Sequence, residues 1–143
     1  MKIGYCTWGM PEVEMDEAIP YLANLGYDGV EITVIPGYTT ELSTLTARER
    51  SRIKTLFTNH GLEMPAIAGH TSLLDPDTKQ HAANMKRLKA TVELAADMTM
   101  GELVPCLDTT PGGKPDDWNE IKERLLNETG NLVDFGAQLG VTL

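Results

Sequence analysis

The 143-residue sequence predicts an α/β fold of parallel (βα) repeats, and three observations carry that prediction. Short β-branched or apolar runs alternate strictly with segments whose apolar residues recur every three or four positions. Each new run starts 27 to 39 residues after the one before, which leaves room for one crossover helix. Gly, Pro, Asp and Ser/Thr clusters punctuate the boundaries. With 41% hydrophobic and 23% charged residues and no linker, low-complexity tract or charge block, residues 1–143 read as a single domain.

The elements follow in order. Lys2 to Thr7 is the first strand, broken by Gly9 and Pro11. Asp16 offers an N-cap to a helix carrying Ile19, Leu22 and Leu25 on one face, with Pro20 in its first turn and Gly26 at its end. Gly29 to Val34 is a β-branched second strand bounded by Asp28 and Pro36-Gly37. Thr46 and Glu49 form a capping box ahead of the Ile53, Leu56, Phe57 stripe, and His60-Gly61 closes that helix. Met64 to Ala68 is a third strand, and a helix from about His81 to Met98 places Ala82, Met85, Leu88, Val92 and Ala95 on its inner side. Leu103 to Leu107 is a fourth strand despite Pro105. A turn-rich loop from Asp108 leads to a second capping box, Asp117 with Glu120, and to a helix with Trp118, Ile121, Leu125, Leu132, Phe135 and Leu139 inward. Val141 to Leu143 starts a fifth strand.

Two architectures accommodate this order, a doubly wound sheet and a (βα)8 barrel present only in half. A doubly wound domain needs a helix over its last strand, so an ending just inside a fifth strand favours a partial TIM barrel, (βα)4 plus the start of a fifth strand. Half a barrel has two open sheet edges and an uncovered interior, from which a homo-oligomer is expected.

Composition narrows the function. Twelve basic and 21 acidic side chains give a net charge of −9, which repels a phosphate backbone and argues against a nucleic-acid partner. Apolar runs fall short of the ~18 residues a membrane span needs, so no membrane partner is expected. The opening Met-Lys-Ile-Gly-Tyr-Cys lacks a signal-peptide apolar region, so a cytoplasmic location is expected. Cys6 and Cys106, outside any CxxC or Cys/His ladder, read as reduced cysteines near strand ends. Gly112-Gly113-Lys114 fails the P-loop spacing, and no GxSxG, GxGxxG or HExxH pattern occurs. A phospho-receiver or flavodoxin loop after strand one is ruled out by Cys6-Thr7-Trp8 and the acidic stretch beyond it.

Reactive groups of a parallel βα fold belong at the C-terminal strand ends. The candidates there are Thr7, Trp8, Glu31, Thr33, the Gly69 to Ser72 run, Asp108 and Thr109. Glu31 alternates with Val30 and Ile32, so it is either an inward carboxylate for a hydroxyl, cation or metal-bound water, or a glutamate in a structural ion pair. His70 is a hydrogen-bond donor or metal ligand, or else it fixes a loop; His60 and His81 sit at helix termini as caps or solvated groups. Asp108 is an acid supporting the site or an Asx-turn residue, and Trp8 is a wall for a sugar ring or a plug at the barrel top.

Four segments then carry a family resemblance: Lys-Ile-Gly-Tyr-Cys-Thr-Trp from Lys2, Leu-Gly-Tyr-Asp-Gly-Val-Glu-Ile from Leu25, His60 to His70, and the Asn84 to Asp97 helix. In these the sequence resembles the N-terminal half of the xylose-isomerase-like TIM barrel superfamily, in its sugar phosphate isomerase/epimerase branch. The resemblance implies a sugar or polyol substrate and a divalent metal (Mn, Mg, Co or Zn) for a full-length protein, held by groups from strands five to eight. It implies no metal for this chain alone, and substrate-binding positions at Trp8, Glu31, His70 and Asp108. Abasic-site endonucleases of the superfamily would carry a histidine at the end of strand two, where Thr33-Val34-Ile35 stands. A non-catalytic half-barrel that self-associates or binds a small ligand is the alternative.

Overall fold

The computed structural model describes residues 1–113 and 118–143. The elements run β1 (Gly4–Cys6), a 3-10 turn (Thr7–Gly9), α1 (Met15–Asn24), β2 (Gly29–Thr33), α2 (Ala47–Asn59), β3 (Ala66–Ala68), α3 (Thr78–Asp97), β4 (Cys106–Asp108) and α4 (Trp118–Gln138). The strands form one parallel sheet in the order β1-β2-β3-β4. This is a partial TIM barrel of four βα units.

Register sorts the side chains onto two faces. Ile32 lies beside Ile67, which lies beside Leu107, and all three are buried toward the helices with Val30. Cys6 lies beside Glu31, and Ala66 beside Cys106, on the opposite face, followed one layer up by Thr33, Ala68 and Asp108. The core therefore fills the space between sheet and helices, where Ile19, Leu22, Ile53, Phe57, Leu88, Val92 and Leu132 are all buried.

Several boundaries differ from the sequence expectation, each for a local reason. Strand pairing in β1, β3 and β4 covers three residues apiece, because Pro65 and Pro105 have no N–H to give to the ladder and Thr7 has already entered the 3-10 turn. The N-cap position of α1 is Glu14, which makes no side-chain cap; Asp16 falls in the first turn, and Pro20 lies inside the helix. Leu25 sits at the helix C-cap and is exposed, since Gly26 at φ 87° turns the chain away. The Thr46 box is half formed: Thr46 Oγ1 accepts from Glu49 N at 3.3 Å, while the Glu49 carboxylate holds Arg52. Helix α3 starts earlier than expected because Asp77 caps it, accepting from Gln80 N at 2.8 Å. Ala82 is exposed, and Asn84, Thr91 and Leu94 are buried in its place.

Helix α4 departs most. Trp118, Leu126, Val133 and Leu139 are exposed, and the expected Asp117 cap lies outside the described residues. His81, read as a cap or a solvated group, is instead half-buried between α3 and α4 with Nε2 3.2 Å from Glu128 Oε1. Lys89 lies over the Phe135 ring, 5.3 Å from its centre, as a second link between these helices.

The last three residues run beside β4: Leu107 N donates to Thr142 O at 2.8 Å. A Cβ on Gly136 would lie 2.7 Å from Val141 O, so the helix accommodates that segment only because position 136 is glycine. Gly136→Ala is expected to push residues 141–143 off the sheet and speed exchange of the Leu107 amide about 5- to 150-fold, the scale of a 1–3 kcal/mol overpacking cost. An unchanged exchange rate would refute this close contact.

Candidate functional site

The inward face of the sheet and the loops above it collect the candidate residues. Glu31, at the centre of β2, is half-buried, and its carboxylate has no Lys, Arg or His partner among the described residues. A structural ion pair for Glu31 is thus absent among them. Cys6 lies beside it on β1, and Cys106 lies on β4 beyond Ala66 of β3. Burial raises the Cys6 thiol above its ordinary range, and a hydrogen bond to the Glu31 carboxylate raises it further. Burial likewise raises Cys106, helped by the negative charges of Glu31 and Asp108. Cys6 Sγ also lies 3.7 Å from Thr33 Oγ1.

A raised thiol holds less thiolate at a given pH, and the thiolate is the reactive form. Both cysteines are therefore expected to react with iodoacetamide at pH 8 more slowly than free cysteine. Glu31→Gln removes the negative charge both thiols feel, lowers both and speeds both reactions. Equal rates in the two proteins, measured by mass spectrometry of each cysteine, would show that Glu31 does not face them.

The rim of the cup sits one turn higher. Trp8, in the 3-10 turn after β1, is half exposed. Its indole meets the His70 ring edge-on at 4.9 Å between centres and the Tyr38 ring at 6.1 Å. His70 Nε2 is 3.9 Å from Asp108 Oδ2, beyond hydrogen-bond length, and His70 Nδ1 is buried without a hydrogen-bond partner among the described residues. The structure thus brings Trp8, His70 and Asp108 together at the strand ends and sets Glu31 one layer below Asp108.

Backbone contacts fix these positions. Thr7 Oγ1 accepts from Thr33 N at 2.8 Å, and Thr40 Oγ1 donates to Thr33 O at 2.6 Å, so buried hydroxyls pin the end of β2. Arg87 reaches from α3 to the Val34 carbonyl. Above β3 and β4, Gly69 N donates to Asp108 O at 2.8 Å, and Thr109 Oγ1 donates toward Thr71 O and accepts from Thr71 N. Thr109 therefore ties the His70 loop to the Asp108 loop.

Sequence reasoning missed Tyr38. It lies in the stretch between strand two and helix two, read only as a boundary, and no periodicity marks a loop residue that reaches back to Trp8.

Among the described residues no three His, Cys, Asp or Glu side chains are grouped so as to hold a metal ion. The described residues thus supply too few grouped donors to fit a divalent ion. No described helix is long and apolar enough to cross a membrane.

Four parallel βα units around a shared inward face make this a partial TIM barrel, with the candidate polar and aromatic groups gathered at the C-terminal strand ends. The chain belongs to the xylose isomerase-like TIM barrel family, whose sequence profile matches residues 19–143. It is similar in fold to D-psicose 3-epimerase from Clostridium cellulolyticum H10, solved with D-tagatose, with a TM-score of 0.74 at 16% identity over 99% of this chain and 50% of that one. The probable 3-DHS dehydratase AsbF of Bacillus anthracis matches with a TM-score of 0.72 at 16% identity, over 99% of this chain and 50% of its own. The 3-keto-D-glucoside 4-epimerase YcjR of E. coli matches with a TM-score of 0.67 at 17% identity, over 99% and 54%. The chain spans about half the length of these solved structures. No curated protein matches it.

Proposed function

We propose that this chain forms the substrate-facing N-terminal half of a sugar or sugar-phosphate isomerase/epimerase site. The observation that carries the reading is Glu31: a half-buried carboxylate that faces the barrel interior with no cationic partner among the described residues. Such a group is costly unless something in the cup uses it, and a polyol hydroxyl is the natural donor. Trp8 gives an apolar wall for the C–H face of a sugar, while His70 and Asp108 take hydroxyls at its edge. The epimerases among the similar folds support a small sugar substrate.

A divalent metal (Mn, Mg, Co or Zn) belongs to the proposal only for a protein carrying further ligands, since the described residues group no three donors. The same reading places the chain in the cytoplasm, in keeping with two unbridged thiols, and gives it no nucleic-acid or membrane partner.

Titration of this chain with D-tagatose, followed by amide and indole NMR, is expected to move the signals of Trp8, Glu31, His70 and Asp108, and to lose that response in Glu31→Gln. Signals that stay fixed at high sugar concentration would overturn the reading. Turnover with Mn²⁺ by this chain alone is expected to be absent, and chelator-sensitive epimerisation would refute that.

A second reading, a self-associating half-barrel module, is favoured by one observation. Among the described residues every exposed large hydrophobic lies in 1–25 or 118–143, the two outermost βα units. We infer a homo-oligomer on the same ground.

A further inference from the structure

We propose that Tyr38 is a positioning residue that clamps Trp8 in place at the rim of the cup. The inference rests on the reading of Trp8 as the substrate wall, and it assigns to the loop after β2 the task of aiming that wall.

The turn that bears Trp8 has little of its own to hold it. It is one 3-10 turn whose N-cap, Cys6, makes no side-chain cap. Two adjacent residues of the next loop supply the missing ties. Tyr38 Oη donates to the Trp8 carbonyl at 2.9 Å. Thr39 N donates to Pro11 O at 3.1 Å, and Thr39 Oγ1 donates to Val13 O at 3.1 Å, so the whole connection from β1 to α1 is fastened from one side.

The fastening loop is itself anchored. Thr40 binds the Thr33 carbonyl at the end of β2, Glu41 N donates to Tyr38 O at 2.9 Å, and Glu41 Oε1 lies 3.8 Å from Arg87, which also holds the Val34 carbonyl. Tyr38 therefore transmits the rigidity of β2 and α3 to Trp8.

The rings act with the hydroxyl. Tyr38 is tilted 45° to the indole on one side, and His70 meets it at 62° on another. Held between two rings, the indole keeps one orientation while half of the residue stays open to solvent. Phenylalanine at position 38 would keep the ring and lose the hydrogen bond; alanine would lose both.

Trp118 and Trp8 are the two tryptophans, so Trp118→Phe leaves Trp8 as the single indole emitter. In that background Tyr38→Ala is expected to lower the ratio of clamped to free indole about 2- to 12-fold, the scale of one aromatic pair. The loss is read as reduced Trp8 anisotropy and stronger acrylamide quenching, with Tyr38→Phe between the two. Wild-type anisotropy and quenching in a folded Tyr38→Ala protein would overturn the clamp. Should Tyr38→Ala not fold, Tyr38→Phe decides alone: a drop in anisotropy supports the clamp and an unchanged value overturns it. Adding D-tagatose separates the clamp from the functional reading. If it shields Trp8 from acrylamide, and less so in Tyr38→Phe, both stand. If the sugar gives no shielding while the Tyr38 effect persists, the clamp stands and Trp8 fails as a substrate wall.

Discussion

Phe57→Ala is expected to destabilise the fold by about 3–5 kcal/mol, the usual cost of emptying a buried aromatic site. Phe57 is fully buried, and with Ile53 it is what α2 buries in the core, with Leu56 packed partly buried against it. The rest of that helix is dominated by charge: Arg48, Glu49, Arg50, Arg52 and Lys54 face outward or pair at the surface. Such exposed pairs contribute about 0–1 kcal/mol each, too little to offset the cavity. Against a domain stability of about 5–15 kcal/mol the loss is a large fraction, so the urea midpoint should fall steeply with little change in slope. A shift worth less than ~1 kcal/mol would show that α2 is held by something other than this side chain.

The second large effect is association. Prepared by itself, the 143-residue chain is expected to scatter light as a dimer or larger at tens of micromolar. Ile3 just before β1, Tyr21 in α1 and Leu25 at its C-cap are exposed, as are Trp118, Leu126 and Val133 on α4, while the two middle units expose no large apolar side chain. Apolar surface concentrated at both ends of an open sheet is what another protein surface covers. The β4 side is already partly occupied, since Thr142 accepts from Leu107, so contact there involves residues 141–143 and α4 rather than β4 alone. Leu126→Glu, placing a charge on the most exposed of these α4 residues, should shift the population toward monomer. A monodisperse monomer for the unaltered chain would refute the expectation.

The parallel βα order was legible because each strand and helix carries its own period. Glu31 illustrates how far that reaches: flanked by two apolar residues in a strand, it had to face away from them, and it does. Periodicity also has a limit. It could not separate the face of α4 that meets α3 from the face that meets nothing among the described residues, because Trp118, Leu125, Leu126, Leu132 and Val133 are all apolar. The assembly of the rim was beyond it for another reason. Trp8, Tyr38, His70 and Asp108 come from four different loops or strand ends, and their juxtaposition depends on sheet register and on side-chain to backbone bonds such as those of Thr7, Thr40 and Thr109. Apart from the Thr40 bond, which closes within seven residues, these contacts join positions at least 26 residues apart, outside any local window of sequence.

The sheet order β1-β2-β3-β4 repeats the order of synthesis. Each strand finds its pairing partner in the unit made just before it, so a nascent chain leaving the ribosome at about 5–20 residues per second can lay down one βα unit upon the last without waiting for a distant segment. At every stage only the newest edge and the first one lack neighbours, and the chain grows as a ribbon whose two margins are all that a translating cell must keep apart.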